Sequence, residues 1–331
     1  MIRNTALLLA LLQLLFFSCG REAGPQPNGG EQDTHPDYAL VLHGGAGNMN
    51  FENVPTDMQT RYLGALDSAL TLGLEVLEAG RSSLDAVETV IRFMEDNPLF
   101  NAGKGAVFTS AGTNELDASI MEGKELKAGA VAGVTDIRNP ISAARAVMEK
   151  SPHVLFDGEG ASVFADEVGL EKVDPSYFHT EKRYEDLLRI RDGDKHGTVG
   201  CVALDRDGTL CAGTSTGGMT NKKYGRIGDS PLIGAGTYAN NATCGVSCTG
   251  HGEYFIRWAV AHDISALMEY KGWTVDQAAR EVVERKLVAA GGEGGVICLD
   301  ANGQVAMVTN TSGMFRAYGN SNGERMSAIF K

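Results

Sequence analysis

Apolar residues fall along this chain in two alternating rhythms. Tyr38–Gly47 ("YALVLHGGAG") is an apolar run that ends in a glycine turn and predicts a buried strand. Met58–Gly80 carries apolar residues at helical spacing and stops at a glycine. Ser82–Pro98 predicts a second helix, with Ser82 and Asp85 as a capping pair and Pro98 beyond its end. Ala106–Val134 reads as three strands joined by Gly- and Asn-containing turns, and Asn139–Pro152 and Gly158–Gly169 as short helices. Glu171–His196 is charged and weakly patterned, and reads as a surface helix fading into a mobile segment. A hairpin then predicts itself in "TVGCVALD" and "TLCAGTST" around the turn "RDG". Strands follow in Ser230–Asn240 and Thr243–Gly250, helices in Gly252–Tyr270 and Thr274–Gly291. A hairpin through Asn302-Gly303 closes the pattern. Strands flanking runs of helices favour two packed sheets covered by helices, an α+β chain, over a doubly wound parallel sheet.

The 331 residues, 43% of them apolar, can bury a sizeable core. A net charge of −13 argues against nucleic acid as a partner, because phosphate binding needs clustered Lys and Arg. Neither G-x-G-x-x-G nor a P-loop is present, so a nucleotide has no cradle of those types. Arg3, the apolar run Ala6–Phe17 and "SCG" predict an export signal (residues 1–18), and Cys19 is similar to the lipidated cysteine of a bacterial lipoprotein. The competing reading is an ordinary signal peptide with an incidental cysteine. Residues 19–37 read as a flexible tether. The protein is thus expected to be exported and held by lipid to a bacterial membrane, facing the periplasm or the exterior. Cys201, Cys211 and Cys298 lie in apolar runs and read as buried hydrophobes. Cys244 and Cys248 are four apart on one strand, roughly 13 Å by the strand rise, which is too far for a disulfide.

The predicted hairpin has an unusual feature: Gly197-Thr198 heads one strand, and Thr214-Ser215-Thr216-Gly217-Gly218 ends the next. A threonine hydroxyl needs a base. At a chain terminus its own α-amine, with a pKa of about 8, can serve. That requires a cut between Gly197 and Thr198, and glycine leaves its carbonyl open to attack. Alone, the pair is an ordinary strand start. The context adds Thr249 at another strand end, Arg226 and Asp229 framed by glycines, and "TGHGE" (Thr249–Glu253), a glycine turn offering N–H groups. A nucleophile, a fork for a carboxylate, an anion for an amine and an N–H nest suit an amidohydrolase acting on amino-acid derivatives. His43 reads as a buried histidine near the site, His196 as a linker residue and His251 as a rim residue.

The stretch "GTVGCVALDRDGTLCAGTSTGGMTNKKYGRIGDSPLIGAG" followed by "CTGHGE" resembles the isoaspartyl peptidase/L-asparaginase family, the plant-type asparaginases. "HGGAG", "NPLFNAGKGAVF", "ELDASIMEG" and "KAGAVAGV" match its N-terminal half in order, so the resemblance runs from about Tyr38 to the end. It implies an N-terminal nucleophile hydrolase with a four-layer αββα sandwich, cut ahead of Thr198 into an α-subunit half (38–197) and a β-subunit half (198–331), and paired into an (αβ)2 heterotetramer. Implied substrates are L-asparagine and β-aspartyl dipeptides. Thr198 matches the nucleophile, Thr216 a supporting threonine, and Thr249 with Gly250 the oxyanion hole. Arg226 matches the grip on the substrate α-carboxylate, Asp229 and Gly252 the ammonium site, and Asn101 an asparagine beside the nucleophile. No cofactor is required; the loop Met94–Lys104 matches one that wraps a structural Na+ in backbone carbonyls, and Lys104 is a charge that could modify that loop. Glycosylasparaginase, on the same fold, typically carries aspartates in a "TGDGD"-like string where this chain has "TGHGE". A reading from another class, an inert lipoprotein scaffold, predicts an uncut chain; the intact Thr198, Thr216, Arg226, Asp229 and Thr249 argue against it.

Overall fold

The period-2 alternation of the strands sorts side chains into layers. A computed structural model describes residues 35–49, 52, 54–189 and 197–331, of which His35–Lys331 form one unit. The chain runs through β1 (Ala39–Gly47), α1 (Thr56–Glu78), α2 (Ser83–Glu95), β2 (Leu116–Glu122), β3 (Ala128–Val134), α3 (Pro140–Lys150), β4 (Leu155–Asp157), α4 (Gly158–Glu167) and α5 (Glu181–Arg189). It continues as β5 (Val199–Leu204), β6 (Leu210–Thr216), β7 (Thr237–Ala239), β8 (Cys244–Gly250), α6 (Gly252–Trp258), α7 (Val260–Lys271) and α8 (Val275–Arg280). A π-helical stretch, Glu281–Leu287, leads to α9 (Val288–Ala290), then β9 (Gly294–Asp300), β10 (Val305–Thr309), β11 (Gly313–Asn320) and β12 (Arg325–Phe330).

Two sheets result, an eight-stranded one ordered β12-β11-β1-β5-β6-β2-β3-β4 and a four-stranded one ordered β10-β9-β8-β7. Leu40 and Leu42 of β1 and Cys201 of β5 face outward and pack with Leu66, Leu70, Val87 and Ile91 of α1 and α2. Val246 of β8 and Val296 of β9 pack outward with Ile264, Val282 and Val283. Val41, Val202, Ala212, Ile297 and Leu299 fill the space between the sheets. The order is helices, sheet, sheet, helices: the four-layer αββα sandwich. Each fully buried Leu or Ile stabilises it by about 1.5–3 kcal/mol relative to exposure. Gly213 permits the helix-to-sheet contact, because a Cβ there would lie 2.7 Å from Val87 Cγ1.

Several expectations need correction. Ala106–Phe108 is buried but pairs with no strand, so Ala106–Val134 holds two strands rather than three. The hairpin at Asn302-Gly303 exists, yet the chain returns with β11 beside β1 in the other sheet. Gly252–Tyr270 is two helices, broken where Ala259 takes a left-handed conformation (φ 47°). The expected tether ends early: Asp37 accepts from Arg206 Nη1 at 2.7 Å, and its N–H donates to Ser321 Oγ at 2.8 Å. Ser82 caps α2, accepting from Asp85 N–H at 3.2 Å. Cys201, Cys211, Cys244, Cys248 and Cys298 are free and buried. The segment expected to be an export signal (residues 1–18), Cys19 and His196 lie outside the described residues. No described helix is long and apolar enough to cross a membrane.

Candidate active site

The alternation that fills the inter-sheet core with valine and leucine also points Thr198, Thr214, Thr216 and Asp117 into that space, where β2, β5 and β6 lie side by side. Thr198 is buried and donates its hydroxyl to Thr216 Oγ1 at 3.2 Å. Thr216 Oγ1 in turn donates to the carbonyl of Gly197 at 2.9 Å and accepts from Gly218 N–H at 2.9 Å. The same Gly197 carbonyl accepts from Asn101 Nδ2 at 2.7 Å. Asn101 is itself fixed, donating to Gly218 O at 2.8 Å and accepting from Val107 N–H at 2.9 Å. The carbonyl directly ahead of the candidate nucleophile is therefore held by two donors, the arrangement that stabilises negative charge on its oxygen.

His43 sits on the other side of Thr198. Its Nδ1 lies 3.1 Å from Thr198 O and its Nε2 3.0 Å from Ser247 Oγ. A carbonyl only accepts, which assigns the ring proton to Nδ1 and makes Ser247 a donor to Nε2. Burial pushes the imidazole down to about 3, so it stays neutral and reads as structural. Ser247 contacts Thr214 Oγ1 at 2.7 Å, and Thr237 Oγ1 donates to Thr214 at 2.6 Å. Ser119 reaches both Thr237 Oγ1 (2.8 Å) and Ser230 O (2.6 Å). This buried file of hydroxyls leads from the nucleophile's carbonyl to the residue after Asp229.

Thr249, next to last in β8, is fully buried, and its Oγ1 accepts from Ala46 N–H at 3.3 Å. The glycine turn of β1 touches the nucleophile as well, because a Cβ on Gly45 would lie 3.2 Å from Gly197 Cα. Gly250 has φ 151° and no room for a side chain, with Glu293 O 2.4 Å from where a Cβ would stand. A Cβ on Gly252 would lie 2.9 Å from both Arg226 Nη2 and Asp229 Oδ1, so the missing side chain leaves a small cradle between a cation and a carboxyl. Asp229 is buried, its Oδ2 has no partner, and burial pushes it up to about 7. A ligand ammonium entering the cradle would supply that partner and favour the ionised form.

Three buried charged residues escape a reading of the sequence. Asp117, opposite Thr216 in the β2–β6 register, is fully buried; burial raises its pKa against the pull of Lys222, and its Oδ1 accepts from Gly133 N–H at 2.8 Å. Lys222 is buried with Nζ donating to Glu115 O at 3.0 Å. Glu95, at the end of α2, is fully buried and pushed up to about 8, accepting from Ser215 Oγ at 2.6 Å and Ile141 N–H at 3.0 Å. A charged residue at a helix end and a "TNK" string carry no sign of burial in the sequence. His251 is on the rim, its Nε2 3.6 Å from Glu253 Oε2 and its side chain 41% exposed. Lys104 lies over the Tyr177 ring at 5.1 Å. Among the described residues no group of His, Cys, Asp and Glu is arranged to hold a metal ion.

A protein-family model described as Asparaginase matches residues 36–329. The chain belongs to the asparaginase family. It is 51% identical over 307 residues to the isoaspartyl peptidase of Escherichia coli, covering 88% of this chain and 96% of that one. It is 42% identical over 303 residues to a plant-type L-asparaginase of Pyrococcus furiosus (85% and 95%), and 39% over 305 residues to an isoaspartyl peptidase/L-asparaginase of Rattus norvegicus (89% and 90%). In this asparaginase-family chain the matched region takes in every site residue described above, from His43 to Glu253.

Proposed function

We propose that the chain is an isoaspartyl peptidase/L-asparaginase, a hydrolase that cuts itself ahead of Thr198 and then uses the freed terminus as its catalytic base. One observation carries this reading: the Gly197 carbonyl is clasped by Asn101 Nδ2 and Thr216 Oγ1 while the Thr198 hydroxyl is bonded to that same Thr216 oxygen. Attack by Thr198 Oγ on the Gly197 carbonyl carbon converts the amide to an ester and releases the Thr198 nitrogen as an amine. Asn101 and Thr216 stabilise the oxyanion formed on the way. Water then hydrolyses the ester, leaving a carboxylate on Gly197 and a free amine and hydroxyl on Thr198.

In the mature site the Thr198 amine, near pKa 8, takes the hydroxyl proton and Oγ attacks the side-chain carbonyl of asparagine or of a β-aspartyl dipeptide. Thr249 Oγ1 and the Gly250 N–H stabilise the second oxyanion. Arg226 holds the α-carboxylate, and Asp229 with the Gly252 backbone holds the α-ammonium, so only the β-carbonyl meets the nucleophile. Ammonia or an amino acid leaves with the proton, and water frees aspartate from the ester.

A hard cation such as Na+, held by backbone carbonyls of the loop Met94–Lys104, belongs to the same proposal. A Cβ on Gly103 would lie 2.3 Å from Glu95 O, and one on Gly105 2.0 Å from Phe100 O and 2.8 Å from Pro98 O, so these glycines make room for carbonyl oxygens. A bound ion would stiffen the loop that carries Asn101. Assembly of two cut chains as (αβ)2 and export with a lipid on Cys19 belong to the same proposal, the second supported by the run Ala6–Phe17.

Intact-mass measurement of purified wild type and Thr198→Ala tests the reading, with hydrolysis of β-Asp-Leu beside it. The wild type yields a fragment beginning at Thr198 and turns over the dipeptide; the variant does neither. Turnover by wholly uncut protein overturns the mechanism. Preference for a glycosylated asparagine moves the assignment to glycosylasparaginase, and a lasting uncut, inactive wild type makes it an inert scaffold.

A further inference from the structure

Arg226 does not meet the cradle alone. Its Nε donates to Glu253 Oε1 at 2.9 Å and its Nη2 to Glu253 Oε2 at 2.9 Å, a bidentate pair along one edge of the guanidinium. The planar group has a second edge of two parallel N–H donors, at Nη1 and Nη2. Glycines flank that second edge: a Cβ on Gly228 would lie 2.9 Å from Nη1, and one on Gly252 2.9 Å from Nη2. The edge with Glu253 is closed, whereas the edge beside the cradle runs past the main chain of two glycines, with the Asp229 carboxyl across the cradle.

We infer that Glu253 is a positioning residue: it grips the Nε–Nη2 edge of Arg226 so that the Nη1–Nη2 edge is presented to the substrate α-carboxylate. This rests on the function proposed above and names the group that sets its substrate specificity. The alternative is that Glu253 occupies the fork in place of substrate and must be expelled. Expulsion would break two charge-assisted bonds, whereas an orienting role leaves both in place while substrate takes the free edge. Arg226 also holds Glu253 down at about 2, so the carboxylate stays charged across the working pH range. Because Glu253 follows Gly252 at the start of α6, the clamp ties the glycine turn of the ammonium site to the loop that carries Arg226 and Asp229.

The test uses the mature, cut enzyme, β-Asp-Leu as substrate, and β-alanine, which keeps the amine and lacks the α-carboxylate, as inhibitor. For Glu253→Gln the KM for β-Asp-Leu rises about tenfold, the value expected when one charge-assisted contact is weakened. Its kcat and the Ki of β-alanine each change less than about twofold. Glu253→Asp keeps the charge but is one methylene shorter and does not reach both nitrogens, and falls between wild type and Glu253→Gln. The side chain is 46% exposed, so the variants keep the wild-type melting temperature, which is checked in parallel. A fall in KM for Glu253→Gln shows a competitor and overturns the inference. An equal weakening of β-Asp-Leu and β-alanine, or a loss confined to kcat, shows a general structural role and overturns it too. A wild type inactive on β-Asp-Leu would instead defeat the parent reading of function, and this inference with it.

Discussion

Replacing Thr216 by valine removes one hydroxyl and leaves the volume nearly unchanged, so no cavity complicates the outcome. Three hydrogen bonds go: the donation to Gly197 O, the acceptance from Gly218 N–H, and the acceptance from Thr198 Oγ1. They act on different quantities. The Gly218 N–H loses its partner before and during self-cutting alike, so it lowers stability by about 1–3 kcal/mol without setting the rate. The donor to Gly197 O matters most when that oxygen becomes an anion. Loss of one such donor costs about 2.7–4 kcal/mol of transition-state stabilisation, or roughly 100- to 1,000-fold in rate. Asn101 Nδ2, at 2.7 Å, stays on the same oxygen, so cutting slows rather than stops.

The assay is a time course of intact mass on freshly purified Thr216→Val, reading the fraction of chains that release the fragment beginning at Thr198. Asn101→Ala, measured in parallel, is expected to slow cutting by a comparable factor because it removes the other donor. Thr216→Val that cuts within about threefold of the wild-type rate, while its melting temperature falls, refutes the role of Thr216 as a donor to the developing anion. The lost bonds would then be structural only.

Asp229 is pushed up to about 7 by burial and must be ionised to pair with an ammonium. With the Thr198 amine also required neutral, log kcat/KM of wild type falls with a slope of two below pH 7, and Asp229→Asn shows a slope of one; equal slopes contradict the assignment. Glu95 is raised from 4.5 to about 8, so its contribution to stability is full below about pH 4.5 and is lost as pH rises through about 8; the loss is on the order of 5 kcal/mol. Glu95→Gln is expected to flatten that decline in thermal unfolding between pH 5 and 9, and an unchanged decline rules the carboxyl out as its source. A Cβ on Gly200 would stand 2.0 Å from Ser247 Oγ and 2.4 Å from His43 Nε2, so Gly200→Ala is expected to yield little folded, cut protein; normal yield would show that the sheets are free to separate there. Ser247→Ala leaves His43 Nε2 without a donor and is expected to cost about 1–3 kcal/mol in denaturant unfolding; a loss under 0.5 kcal/mol contradicts the assigned ring proton.

Alternation and glycine turns in the sequence foretell the layers of this fold, because they fix which face of each strand is apolar. The final β11–β12 hairpin escapes that reading. Gly313–Asn320 is buried on both faces, with Phe315 against the helices and Met314 between the sheets, so it shows no clean alternation. The Ala106–Phe108 run fails the other way: it is apolar enough for a strand, but its backbone is taken up locally, with Asn114 Nδ2 donating to Ala106 O and Val107 O at 3.0 Å each. Thr198, Thr216, Arg226, Asp229 and Thr249 stand out because their types and spacings resemble a known chemistry, and Asn101 comes only with the family resemblance. Asp117, Thr214, Ser247 and Glu253 do not, because their meaning lies in contacts across sheets or between loops. The pairing of Asp117 with Thr216 is a matter of register, and register is absent from a list of residues.

Register also explains why so many hydroxyls lie where a sandwich would normally keep only hydrocarbon. The site takes Thr198 and Thr216 from the large sheet and Thr249 from the small one, so its geometry depends on how one sheet sits on the other. Apolar packing alone tolerates small slides, since one methyl contact replaces another. Hydrogen bonds do not: moving β8 past β6 by one residue would part Ser247 from both Thr214 and His43, and leave buried polar groups unpaired at about 1–3 kcal/mol each. The file from His43 through Ser247, Thr214 and Thr237 to Ser119 crosses between the sheets more than once and has its direction set by the carbonyl at the Thr198 end. Buried hydroxyls with partners add little net stability, but they make the aligned arrangement the favoured one. The same inter-sheet contact that excludes a side chain at Gly200 therefore fixes how Thr249 of one sheet sits relative to Thr198 of the other.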